Sequence, residues 1–249
     1  MMFIDAHCHI NGLDPEERNN IASTRRSGYI FIDSSINFQS TLNSLQLSDK
    51  YPYIYSAIGF HPFSVKEFNE STISDYEKVL HQNKKIVAIG EIGLDETAKT
   101  SHEAQEKILK VFFQLAKNVN LPVLIHNRLK EPEIFDILDD FFTSYEKVVF
   151  HCFSYDYGML QRITERGGYV SFSLNILRKK KDIIDSLIKC PLENILLETD
   201  SPYMKIDGHA SSPLDIEAVY SFAAAIKNLK LQELKEAVCS NANKVFSFK

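Results

Sequence analysis

Eight short runs of β-branched, aliphatic and aromatic residues recur along the chain with helix-patterned stretches between them, and this alternation restricts the fold more than any other feature. The runs are Phe3-Ile4-Asp5, Tyr29 to Ser34, Tyr53 to Gly59, Ile86 to Gly90, Pro122 to His126, Lys147 to His151, Gly168 to Ser173 and Asn194 to Glu198. Between them, Glu103 to Lys117 carries Ile108, Leu109, Phe112, Phe113, Leu115 and Ala116 at helical spacing, and Asp182 to Ile188 precedes the last run. Repeated strand–helix units in a chain of 249 residues predict an α/β fold, a TIM (β/α)8 barrel occupying 1–249 as a single domain. Pro213 to Phe248 reads as closing C-terminal helices, the second opening at Leu231. An open doubly wound sheet would carry a Gly-rich phosphate loop after its first strand, where this chain has His7-Cys8-His9.

A hydrophobic share of 44% beside 24% charged residues allows a large core, and no biased or repeated segment divides the chain. A net charge of -5 argues against a surface coated by nucleic acid, while leaving room for a local basic patch beside metal. The N-terminal residues lack the pattern of an export signal, and no apolar run is long enough to span a bilayer. The four cysteines, Cys8, Cys152, Cys190 and Cys239, form no CxxC pair. Together these features predict a cytoplasmic protein with reduced thiols, no membrane partner and no organic cofactor.

The chemistry lies where the strands end. His7 and His9 alternate with Cys8, so both imidazoles share one face of the first strand. Glu91 follows Ile86-Val87-Ala88-Ile89-Gly90, His126 follows Val123-Leu124-Ile125, His151 follows Val148-Val149-Phe150, and Asp200 follows the last strand. A barrel delivers its chemistry at the C-terminal strand ends, and ionisable groups beside apolar strands need a compensating partner. Singly, each of these residues has a bland explanation; jointly they predict metal ligands, four imidazoles and two carboxylates. That number exceeds what one tetrahedral ion requires and suits two divalent ions, Mg, Mn or Zn, about 3.5–4 Å apart with Glu91 as the bridge. Asp200 is also a candidate base for a water's proton, and Glu91, Asp200 and His61 form the catalytic set of this reading.

His61, in Gly59-Phe60-His61-Pro62, stands at the third strand end, either facing the same rim with a hydrogen bond for a substrate or simply fixed by Pro62. Arg128, just beyond His126, is either a bidentate partner for a phosphate or carboxylate or a surface salt bridge. Arg178-Lys179-Lys180-Lys181 opens a helix, the end where the dipole disfavours cations, so either an anion or plain solvent compensates it. Cys8 and Cys152 are expected to be packing residues.

With these residues assembled, the chain resembles the TatD family of metal-dependent deoxyribonucleases within the amidohydrolase superfamily. The matching stretches are Phe3-Ile4-Asp5-Ala6-His7-Cys8-His9, Gly59-Phe60-His61-Pro62, Gly90-Glu91-Ile92-Gly93-Leu94-Asp95, Pro122-Val123-Leu124-Ile125-His126-Asn127-Arg128, His151-Cys152-Phe153-Ser154 and Glu198-Thr199-Asp200-Ser201-Pro202-Tyr203. The resemblance implies that His7, His9 and Asp200 hold one ion, His126 and His151 the other, and that Glu91 bridges them. It also implies exonucleolytic hydrolysis of a DNA substrate with His61 near the reacting phosphate. Two stretches depart from the family pattern: Glu96-Thr97-Ala98, where aromatic residues are usual, and Met204 to Pro213, which offers only Lys205 and His209 as cations. Both line the mouth of the site, so a small ester, lactone or amide is the alternative substrate.

Overall fold

Strands β2 (Tyr29–Ser34), β3 (Ile54–Ile58) and β4 (Ile86–Asp95) are buried at every position, which requires cover on both faces of the sheet. One face is the interior of a closed barrel and the other is packed by helices. The computed structural model describes residues 2–23, 28–69, 71–129, 133–206 and 208–248. Its main sheet runs β1 (Phe3–Cys8), β2, β3, β4, β5 (Val123–Arg128), β6 (Val148–Phe150), β7 (Tyr169–Phe172) and β8 (Ile195–Leu197) in sequence order, all parallel. The predicted barrel is the observed one.

Helices α1 (Pro15–Ser23), α2 (Phe38–Lys50), α3 (Thr72–Gln82), α4 (His102–Val119), α5 (Ile134–Phe141), α6 (Tyr157–Thr164) and α7 (Lys181–Lys189) alternate with the strands. In α4 the Ser101 side chain accepts the Ala104 N–H at the start, Asn120 ends the helix in the left-handed region, and the apolar stripe from Ile108 to Ala116 is buried. After β8 come a two-stranded hairpin of β9 (Lys205–Ile206) and β10 (His209–Ala210), then α8 (Ile216–Ile226) and α9 (Leu231–Phe246). The Tyr220 hydroxyl of α8 donates to the Ile4 carbonyl at 3.1 Å, and Asn241 of α9 donates to the Leu192 and Ile195 carbonyls at 2.9 Å. The closing helices thereby fasten the first and last strands.

The ring is sealed just beyond β8. The Asp200 N–H donates to the His7 carbonyl at 3.0 Å, the His9 N–H to the Ser201 carbonyl at 2.8 Å, and the Thr199 N–H to Asp5 Oδ1 at 2.9 Å. The strand predicted to stop at Gly90 continues to Asp95, with a register shift against β5 between Ile89 and Ile92. Gly93 permits this, since a Cβ there would lie 1.7 Å from the His126 carbonyl oxygen. Among the described residues, no helix is long and apolar enough to cross a membrane.

Candidate metal centre

The first donor group gathers where β1 meets the far end of the chain. His9 Nδ1 lies 2.9 Å from the Ser34 carbonyl oxygen, which only accepts, so Nδ1 carries a proton and Nε2 is left to face inward. His7 Nδ1 is held 3.0 Å from the Ser34 hydroxyl, and the two Nε2 atoms face each other at 3.0 Å. Glu91 Oε2 stands 3.5 Å from His7 Nε2 and 3.6 Å from His9 Nε2, while Asp200 Oδ1 is 3.9 and 3.6 Å from the same atoms. Each of the two carboxylates thus has an oxygen within 4 Å of both imidazole nitrogens.

The second group uses the other oxygen of the same carboxylate. Glu91 Oε1 lies 2.7 Å from His126 Nδ1, 2.8 Å from His151 Nε2 and 3.5 Å from His61 Nε2. Every one of these residues is buried, and two clusters that could hold an ion, His7/His9/Glu91 and His61/Glu91/His126, share Glu91. A third such cluster joins His7, His151 and Glu198.

Buried carboxylates and imidazoles at this density require positive charge among them. Protons on two of the imidazoles can meet part of that demand. Burial opposes protonation of His9, but the Asp200 hydrogen bond and the Glu91 and Asp200 charges outweigh it and push the imidazole up to about 9. His126 also rises, its burial overcome by the Asp95 and Glu91 bonds. Burial works against ionisation of Glu91 as well, yet the surrounding imidazoles hold its carboxyl well below the usual range. Burial lowers His7 and His151 instead, so the centre combines ionised carboxylates with neutral imidazoles, the donor states a cation requires.

The backbone around Glu91 is close-packed. A Cβ on Gly59 would sit 2.4 Å from the Gly90 carbonyl carbon and 2.6 Å from the Glu91 carbonyl oxygen, so β3 and β4 approach at a distance only glycine allows. Asp200 and Cys152 adopt left-handed backbone at φ 55° and 43°, a conformation that concentrates at functional sites.

Three supporting residues had been given no role from sequence. Asp95 Oδ2 lies 2.8 Å from His126 Nε2, and Asp95 Oδ1 accepts from the Thr97 N–H and hydroxyl at 2.7 and 2.6 Å. The departure at Glu96-Thr97-Ala98 therefore includes a residue that secures the carboxylate. Glu198, fully buried, accepts the Cys152 N–H at 2.7 Å and lies 3.4 Å from His151 Nδ1; burial pushes its carboxyl up to about 8. Ser34 anchors both His7 and His9. The i, i+2, i+4 spacing of Glu91, Gly93 and Asp95 was the available signal for Asp95, masked by the expectation that β4 ended at Gly90.

Above the clusters lies a cavity of about 360 Å³ lined by His61, Arg128, Phe63 and Tyr203 together with the histidines and carboxylates. His61 Nδ1 accepts the Phe63 N–H at 3.1 Å, so its Nε2 carries the hydrogen of the neutral ring. Burial lowers the His61 imidazole to about 3 despite the nearby Glu91 charge, which keeps it a neutral donor. Phe63 and Tyr203 are exposed, their rings 4.8 Å from those of His61 and His9 respectively. Arg128 donates to the Asn127 carbonyl at 3.0 Å and also borders a second cavity with Arg178 and Lys180. The basic run does not act as one patch: Lys179 and Lys181 border a separate depression with Phe222. All four cysteines are free, and Cys8 turns its thiol to the Ile32 carbonyl.

An eight-stranded parallel barrel with buried His/carboxylate clusters at its C-terminal rim defines a metal-dependent hydrolase of the amidohydrolase superfamily. The family model described as TatD related DNase matches residues 4–247, and the chain belongs to the TatD family. An uncharacterized metal-dependent hydrolase of Methanocaldococcus jannaschii is 32% identical, covering 98% of this chain and 96% of that protein. One from Bacillus subtilis is 26% identical over 98% of this chain and 99% of its own length. The crystal structure of the TatD homologue YjjV from Escherichia coli superposes with a TM-score of 0.90 at 25% identity, covering 99% of this chain and 98% of that one.

Proposed function

We propose that the chain hydrolyses phosphodiester bonds of DNA, with His7, His9 and Asp200 holding one divalent ion, His126 and His151 a second, and Glu91 joining the two. The observation that carries this reading is the division of Glu91: one oxygen serves the His7/His9 pair and the other the His126/His151 pair. When bound, two such ions would supply the Lewis acidity that lowers a water's pKa and offsets charge on the phosphoryl oxygens. Four imidazoles with two carboxylates suit zinc or manganese better than magnesium.

The chain's own groups complete the reaction. Burial favours the neutral carboxyl of Asp200, but the His9 hydrogen bond and the charges of His151, His7 and His9 hold it ionised, ready to take the proton of the attacking water. The water oxygen bonds to phosphorus as the bond to the leaving nucleoside oxygen breaks, and that oxygen takes up the proton from Asp200. His61, held as a neutral Nε2–H donor, binds a phosphoryl oxygen without giving up its proton. Arg128, ending β5 at the cavity wall, pairs with the remaining phosphate charge.

Time-resolved digestion of an end-labelled single-stranded oligonucleotide tests the reading, with metal-depleted protein resupplied with magnesium, manganese or zinc and Glu91→Gln protein as control. Stepwise shortening that requires metal and is lost in the variant is expected. An intact oligonucleotide under every metal, with two ions bound, would move the substrate to a small ester, lactone or amide.

A further inference from the structure

The cavity above the metal clusters is not the only one at this rim. A neighbouring cavity of about 450 Å³ is lined by Arg128, Cys152, Ser154, Asn175, Arg178, Lys180, Asp182, Ile183, Asp200 and Met204. Arg128 and Asp200 border both spaces, so the two cavities lie side by side along the rim. Two features give this second space an anionic preference.

The first is charge. Arg128, Arg178 and Lys180 face Asp182 and Asp200, three positive groups against two negative ones, and Asp200 is already engaged by His9 at 3.6 Å. The second is backbone. The cavity reaches Lys180, Asp182 and Ile183, the start of α7, whose N-cap Lys180 provides no side-chain cap. Helix-start N–H groups favour an anion, and Asp182 in the first turn supplies one negative charge beside two positive ones, Arg178 and Lys180.

We infer that this second cavity is a subsite for a non-scissile phosphate, the one next along the strand from the bond being cut. Arg128 sits between the two phosphates, while Arg178, Lys180 and the start of α7 hold the distal one. The substrate class is thereby narrowed to diesters with a second phosphate one nucleotide away. This rests on the phosphodiester reading of the neighbouring metal centre.

The test compares a thymidine dinucleotide having a single internal phosphate with its 5′- and 3′-phosphorylated forms, on metal-loaded protein. A second charge-assisted contact predicts a kcat/KM about tenfold higher for one of the phosphorylated forms, the gain lying in KM. The Arg178→Ala/Lys180→Ala protein should lose that preference while cleaving the singly charged dinucleotide at the wild-type rate. Lys179→Ala/Lys181→Ala, with the same change in net charge, should keep it. A parallel calorimetric titration with inorganic phosphate should show a binding component absent from the first variant alone. Equal kcat/KM on all three dinucleotides, or equal loss in both double variants, overturns the subsite. If no dinucleotide is cleaved but phosphate binding still depends on Arg178 and Lys180, the subsite stands and the phosphodiester reading falls. If neither is seen, both fall.

Discussion

The Asp95 carboxylate lies 2.8 Å from Nε2 of His126, which leaves Nδ1 as the nitrogen turned toward Glu91. One carboxylate thereby decides which face of a second residue's ring meets the metal centre, and its effect can be read without touching a proposed ligand. Asp95→Asn should keep the fold and bind metal about 10–100-fold more weakly, the usual scale for losing such an orienting partner. Metal titration followed by thermal unfolding checks this; wild-type affinity would remove the positioning role.

Glu91→Gln is expected to be the most damaging single change. The amide presents one oxygen and one NH2 where two charged oxygens now face two histidine pairs. Metal content measured by elemental analysis should fall from two ions per chain to at most one, with hydrolysis lost by about 10²-fold or more.

Metal uptake should release protons. His9 is pushed up to about 9 in the ion-free chain, so near pH 7 it is mostly protonated, and a cation binding at its Nε2 must displace that proton. About one proton per chain from this residue is expected at pH 7, declining toward zero as pH passes about 9. Calorimetry in buffers of different ionisation enthalpy measures it. The sign for stability is the reverse: a raised histidine stabilises the ion-free fold fully below its ordinary 6.5, and the contribution is lost as pH rises through about 9.

Phe63→Ala and Tyr203→Ala should raise KM for single-stranded DNA and leave metal binding unchanged. Both rings are exposed at the cavity mouth, an arrangement suited to stacking on bases at about 1–3 kcal/mol each. Steady-state kinetics on an oligonucleotide and on a diester without bases separates the effects; equal KM changes on both substrates would assign the rings to packing.

Gly59→Ala tests the close approach beneath Glu91. The added carbon would overlap the Gly90–Glu91 backbone, and forced overpacking costs about 1–3 kcal/mol. For a domain of this length that is a fall in Tm of about 2–12 °C, together with weaker metal binding as Glu91 is displaced.

Sequence made the barrel legible because the strands bury both faces and so read as mainly apolar runs, with a polar residue marking the C-terminal end. His7, His9, Glu91, His126, His151 and Asp200 were recognisable for that reason, and the structure brings them together. Asp95, Glu198 and Ser34 were not, because their function lies in which nitrogen of a histidine they touch. That depends on inter-strand register, including the β4–β5 shift, which no local pattern encodes. The basic run showed its composition but not its division, since Lys179 turns through left-handed backbone and separates Arg178 and Lys180 from its own side.

The seam between the two ends of the chain has a consequence for synthesis. Asp200 is held at the centre by the bond from its N–H to the carbonyl of His7, a contact between residues made early and late on the ribosome. No nascent fragment short of β8 can assemble the complete set of ligands, and a contact so distant in sequence forms slowly. Hydrolytic capacity therefore arrives all at once, after nearly the whole barrel has been made, and a chain truncated before Asp200 should be inert toward substrate however much of its sheet has formed.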